Sequence, residues 1–524
     1  MSFIFLIAAA LTGAVPVTRA QNPVPDNEAG IVIGLTDFPR SLDPGEVYDF
    51  GAWEILSHLY TGLTRQIPGT ADAPYQYELA LAEDVQISED RLTYTFTLRD
   101  DTTFADGTPI TAHTFVTSIE RVLALRSAAA QAITPYVASI TADDSHTLTF
   151  TLTRPTPYFL ALVALPPYFP QHPDLARTER SQDISADVIG NGPYTLAQVT
   201  VQREIVLQAN PTYQYAPQPQ TDTIILRYYT RSQELRDAIR THEIDLAWRA
   251  LYTGHLIELE KAEIDGLCII EQPSTRVFYL LFNQTREPFN DPRTRAAITQ
   301  LIERGNLAHD TERNHMSALT SPVPAEFADA YAPIWPDEFA LEPVDTALHA
   351  AGYRTREQTQ LQFEVGYSQQ TYGLWHTNTF TQLIRRYLNE SDYINAGLMT
   401  DIAPSTLITQ MERGTFGPAI IFAWTPPVPH PAAYLYPLAH PAESIPQHAG
   451  YATPEIARLL DEAARLADTG DQGVLYRAVA AQLLADHALV PLFQDHVVVI
   501  AWADISGIQV AGNFFLHYDR LRRE

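Results

Sequence analysis

Covalent chemistry needs particular side chains at particular spacings, and this chain offers few of the combinations that supply it. His242 is followed by Glu243, but no second histidine completes a His-Glu-x-x-His zinc site. There is no Cys-x-x-Cys, no Gly-x-Ser-x-Gly and no phosphate-binding loop. His430, His440 and His448 recur at intervals of ten and eight residues, which fits no ligand spacing for a metal. Among 62 acidic residues no pair stands out as acid and base. No catalytic residue, metal site or cofactor is therefore expected. What remains suits non-covalent binding, where aromatic walls surround a few placed polar groups. The candidates are Trp424 and His430 in FAWTPPVPHPAAYL (422–435), Tyr372 and Trp375 in QQTYGLWHTN (369–378), and Phe38 and Trp53 on either side of Leu42-Asp43-Pro44.

Such side chains need elements to hold them. Residues 91–99 read as a half-buried strand, because Leu92, Tyr94, Phe96 and Leu98 alternate with Thr93, Thr95 and Thr97. Residues 146–153 repeat the pattern through Leu148, Phe150 and Leu152. Between them Asp106-Gly107 makes a turn, and Thr111 caps a helix whose face carries Ala112, Phe115, Val116, Ile119, Val122 and Leu123. Further strands are expected at 31–35, 277–282 and 489–501, with a proline- and aromatic-rich crossover at 155–173. Asp291-Pro292 opens a helix expected to stop at Gly305, Thr453-Pro454 opens another, and Asp471 a third. Strands and helices mix without a regular βαβ period, so the expected class is α/β in mixed lobes.

At 524 residues the chain exceeds what one core supports, and two or three lobes are expected. A net charge of −28, from 34 basic and 62 acidic residues, excludes nucleic acid and anionic membranes as partners. Residues 3–17 are almost all apolar, too short for a membrane span of about 20 residues. The small residues of Thr18-Arg19-Ala20 follow, so 1–20 reads as a signal peptide cleaved before Gln21. A periplasmic or otherwise extracytoplasmic protein, soluble after cleavage, is the expectation. Cys268 is the only cysteine, so no internal disulfide forms.

Several short runs, in order along nearly the whole mature chain, resemble the family-5 extracellular solute-binding proteins of the oligopeptide, dipeptide and nickel type. Ser41-Leu42-Asp43-Pro44 is similar to the family's LDP motif, and 54–63, with Tyr60-Thr61-Gly62-Leu63, to its LYEGL helix. The longest match is AEDVQISEDRLTYTFTLRDDTTFADGTPITAHTFVTSIER at 82–121. Asn191-Gly192-Pro193-Tyr194 and Asn210-Pro211-Thr212-Tyr213 follow. Residues 242–247 then resemble GEIDLA with His242 in place of glycine, and 283–302 and 483–493 complete the set.

The resemblance implies a type II periplasmic-binding-protein fold: two α/β lobes joined by crossing strands near 278–283 and 490–497, closing on a ligand by a hinge. Lobe I then comprises 27–277 with 492–524, including an extra inner subdomain at 62–185, and lobe II comprises 283–490. It implies a monomeric, non-catalytic component of an ABC importer. Its partners are a peptide or other small solute and the permease subunits with their ATPase. The alternative ligand is a metal chelate or another non-peptide solute. In this family the aspartate three residues after the position of Trp424 anchors a peptide's α-amino group. Here Pro427 occupies that position, and His430 the second aspartate position. Selection for a free amine at this point is expected to be weak, unless an acidic side chain arrives from elsewhere in the fold.

Overall fold

The computed structural model describes residues 30–68, 75–175, 184, 188–215, 217–249, 251–312, 315–336, 339–355, 359–368, 377–399, 402–510 and 515–524. The expected leader at 1–20 and the candidates Tyr372 and Trp375 lie outside them.

Alternation builds the smaller sheet. In Thr93–Leu98 the side chains of Tyr94, Phe96 and Leu98 are buried while the threonines between them are half-buried. The antiparallel order is Ala82–Ile87, Thr93–Leu98, Thr147–Leu152, Val137–Ala142. Helix Ala112–Leu125 packs on it through Phe115, Ile119 and Val122, and Thr111 and Thr114 close a capping box at its start.

Two long antiparallel strands, Leu267–Phe282 and Leu489–Trp502, run through the middle of an eleven-stranded sheet. Beyond the second lie Leu246–Trp248, Ile31–Leu35, Thr223–Tyr228, Glu204–Ala209 and Tyr194–Thr200; beyond the first lie Ala419–Trp424, Leu361–Tyr367 and Ile394–Met399. Ile31–Leu35 is parallel to both neighbours and wholly buried, which is why it reads as an unbroken apolar run. On the first crossing strand Phe278, Leu280 and Phe282 enter one core, and Tyr279 and Leu281 the other. The pairing slips between Pro273 and Val277, where Ser274, Thr275 and Arg276 face the single residue Asp495.

The quoted motifs meet in space. Arg121 forms a two-pronged pair with Asp43, at 2.8 and 2.6 Å. Asn191 accepts from the Thr61 N–H and donates to the Thr61 carbonyl, both at 3.0 Å. Gly192 passes so close to helix Phe50–Leu59 that a Cβ would lie 2.4 Å from the His58 carbonyl oxygen.

Three element boundaries differ from expectation. The strand expected at 277–282 begins at Leu267, because its first half is largely exposed and lacks a continuous apolar signal. The helix from Asp291 ends at Gln300, where Leu301 and Ile302 turn into the core, and Gly305 belongs to the next helix, Arg304–Glu312. The later helix is Thr469–Ala485, capped by Asp468, whose carboxylate accepts from the Asp471 N–H at 2.9 Å.

Candidate ligand-binding site

One wall of the principal cavity rests on helix Phe50–Leu59. Asp49 caps it, its Oδ1 accepting from the Ala52 N–H at 2.8 Å. Phe50 and Trp53, one turn apart, both line the cavity, joined by Tyr48. The Trp53 indole donates to the Val47 carbonyl at 3.0 Å and meets the Tyr48 ring edge-on at 4.8 Å. On the inner side Glu54 is fully buried and accepts from four donors: the Trp248 indole (2.9 Å), Arg249 (3.0 Å), the Leu516 N–H (2.9 Å) and the Tyr518 hydroxyl. Those bonds tie the helix to the C-terminal segment and hold the wall still.

The facing wall comes from strand Ala419–Trp424, whose Trp424 pairs with Val277 of the first crossing strand. Phe422 and Trp424 line the cavity, and the Trp424 indole is held by a bond of 3.1 Å to the Ala433 carbonyl. Helix Pro404–Glu412 adds Leu407, Ile408 and Glu412; Tyr367 and Phe380 come from beyond, and Tyr136 and Tyr158 from the smaller sheet's side. The enclosed volume is about 490 Å³, within the range of small-molecule sites.

Polar groups gather where the crossing strands slip. Arg276, a lining residue, pairs with Asp495 at 3.0 Å, and its Nε donates to Thr425 at 3.3 Å. The Ser274 hydroxyl bonds the other Asp495 oxygen and accepts from the Arg276 N–H at 3.0 Å. Nearby, burial pushes the Glu326 carboxyl upward, opposed by the Gln494 amide that donates to both its oxygens at 2.8 and 2.9 Å. Among the described residues, no group of three or more His, Cys, Asp or Glu is placed to hold a metal ion, and no helix is long and apolar enough to cross a membrane.

The family model for bacterial extracellular solute-binding proteins, family 5 Middle, matches residues 76–445. The chain belongs to family 5 of the bacterial extracellular solute-binding proteins. The probable D,D-dipeptide-binding periplasmic protein DdpA of Escherichia coli is 28% identical over 61% of this chain and 61% of its own length, so the match spans less than two thirds of that relative. The periplasmic oligopeptide-binding protein OppA of Salmonella typhimurium is 25% identical over 87% of this chain and 85% of its own. The solved periplasmic binding protein DppA of Helicobacter pylori, in complex with the peptide STSA, superposes with a TM-score of 0.75 at 21% identity, covering 94% of this chain and 98% of its own. The two-lobed, mixed α/β fold of this solute-binding protein is thus the fold of that structure.

Within that frame the six residues singled out from sequence separate. Trp53 and Trp424 line the cavity from opposite walls, and so does Pro427. Phe38 does not; it packs edge-on against Tyr228 at 4.8 Å. Tyr372 and Trp375 are outside the described residues, although Ser368 before them and Phe380 after them line the cavity. His430 stands behind the wall as the cap of helix Pro431–Ala439, its Nδ1 accepting from the Ala432 N–H at 3.1 Å. Sequence reasoning passed over Tyr48, Tyr136, Tyr158, Arg276, Phe380 and Glu412. Only Tyr158 carried a signal, lying in the aromatic-rich stretch at 155–173.

The His430 ring sits between Tyr158 at 5.4 Å and Tyr476 at 6.2 Å, and burial pulls its pKa down to about 4. In the unfolded chain the imidazole takes its proton near ~6.5. Between those values the unfolded state binds more protons, so stability falls as pH drops through this window, by at most about 3 kcal/mol. His430→Asn keeps a good cap and removes the titration. Urea midpoints at pH 7 and pH 4.5 should lie closer together for the variant; equal spacing would show that His430 is not a source of the acid sensitivity.

Proposed function

We propose that this protein is the extracytoplasmic substrate-binding component of an ABC importer. It captures a peptide or peptide-like solute between its lobes and delivers it to membrane permease subunits driven by their ATPase. The observation that carries this reading is the apolar cavity at the crossing strands, walled from both sides of the sheet, in a chain of this family. Relatives named for D,D-dipeptides and oligopeptides support a peptide. Lobe I is taken as 27–277 with 492–524, including the inner subdomain 62–185, and lobe II as 283–490. The protein works as a monomer, without covalent chemistry, after export and removal of residues 1–20.

Closure follows if ligand makes contacts to both walls that only the closed form offers. Hydrophobic di- to pentapeptides should be titrated by calorimetry, with small-angle scattering on the same samples. At one hundred times its dissociation constant a bound peptide should stabilise the fold by about 2.7 kcal/mol. The radius of gyration should fall on binding. Binding without compaction would remove the hinge mechanism. Stabilisation by a metal chelate alone, reversed by chelator, would remove the peptide.

A further inference from the structure

The cavity has an unusual balance of charge for its apolar walls. Three of its lining residues carry a carboxyl or guanidinium group: Asp49, Arg276 and Glu412. A ligand carboxylate could look to two receptors there, a guanidinium and the N-terminus of helix Phe50–Leu59. Each already holds one of the protein's own carboxylates. Asp495 holds Arg276 at 3.0 Å, and Asp49 caps the helix at 2.8 Å.

Glu412 is different. It closes helix Pro404–Glu412, one turn beyond Ile408 and on the same face, and it is exposed. No ion pair or hydrogen bond engages its side chain among the described residues. An anion at the C-terminal end of a helix adds to the negative end of the dipole and is unfavourable there. Its neighbour Arg413 is exposed and is not a lining residue. The position therefore favours a cation, and the wall that offers it is otherwise Leu407, Ile408 and Trp424.

We propose that this site selects solutes that bring an ammonium group and an apolar body but no free carboxylate, with Glu412 as the specificity-determining group. The proposal rests on the binding-protein reading above. Pro427 removes a carboxylate from one place on the wall, and Glu412 supplies one from another element. The favoured ligands are short hydrophobic peptides blocked at the carboxyl end, or amines of similar shape.

Four forms of one probe decide it: leucyl-phenylalanyl-leucine as free acid, as C-terminal amide, as N-acetyl acid and as N-acetyl amide, each titrated by calorimetry. The amide should bind about tenfold more tightly than the free acid, and acetylating the amide should weaken it by about tenfold or more. Glu412→Gln should abolish the acetylation effect, so that the amide and the N-acetyl amide bind the variant alike. A free acid that binds as well as its amide, or an acetylation effect that survives Glu412→Gln, overturns the proposal. Trp424→Ala should weaken all forms alike, which marks the cavity as the site independently of charge. If no form of this tripeptide binds, 4-phenylbutylamine against 4-phenylbutyrate tests the charge preference, and failure of the amine to bind, or tighter binding of the acid, overturns it.

Discussion

Replacing Glu54 by alanine is expected to remove about 3–5 kcal/mol of folding stability, the range for breaking a buried ionic pair from one side. The carboxylate is fully buried and its four donors come from two separate parts of the chain, 248–249 and 516–518. Removing it leaves the Trp248 indole, the Leu516 N–H and the Tyr518 hydroxyl without their acceptor, and Arg249 without its carboxylate. Each orphaned buried polar group carries its own desolvation penalty. Glu54→Gln keeps the volume and one acceptor oxygen, so it should fall between wild type and alanine. Urea unfolding at neutral pH reads all three. A loss under about 1 kcal/mol for alanine would mean that water replaces the carboxylate, and that the network does not hold the helix. The helix also carries Phe50 and Trp53, so ligand affinity should drop in the same order as stability.

The residues that made the family legible are those whose roles are set by backbone geometry. Asp43 and Arg121 sit in two quoted motifs and are each other's partner across 78 positions. Asn191 closes on Thr61, and Gly192 leaves no room for a side chain against His58. Such roles admit few residue types, so a short string can identify them. The cavity walls admit many. Phe38 and Phe50 are the same residue type close together in the chain, yet only Phe50 faces the cavity, because the helix capped by Asp49 turns it there. Trp53 is 1% exposed and belongs to the core as much as to the wall, so its pattern cannot tell the two apart. Arg276 stands just before the apolar run 277–282, and its partner lies 219 residues away. The fold was legible from local periodicity and motif order, whereas the site is assembled by long-range contacts.

Asp495 offers the second large effect. It is 1% exposed, sits opposite the three-residue slip in the crossing strands, and binds both the Arg276 guanidinium and the Ser274 hydroxyl. Asp495→Asn preserves shape and can still accept from one donor, but it withdraws the negative charge that balances Arg276. Loss of stability should reach about 3 kcal/mol, since a mostly buried guanidinium loses its carboxylate. The same change should alter what the cavity accepts. In the native protein Arg276 is occupied by Asp495; in the variant a ligand carboxylate can take that place as a charge-assisted partner. N-acetyl-leucyl-phenylalanyl-leucine, an anion without an ammonium group, should therefore bind the variant about tenfold more tightly than the native protein. Its neutral N-acetyl amide should gain nothing. Urea unfolding and calorimetry on the same preparation measure both halves. If stability falls but the anion gains no affinity, Arg276 serves only to brace the crossing strands and does not face the ligand. If the anion gains, the pairing of Arg276 with Asp495 is what keeps carboxylates out of the native site.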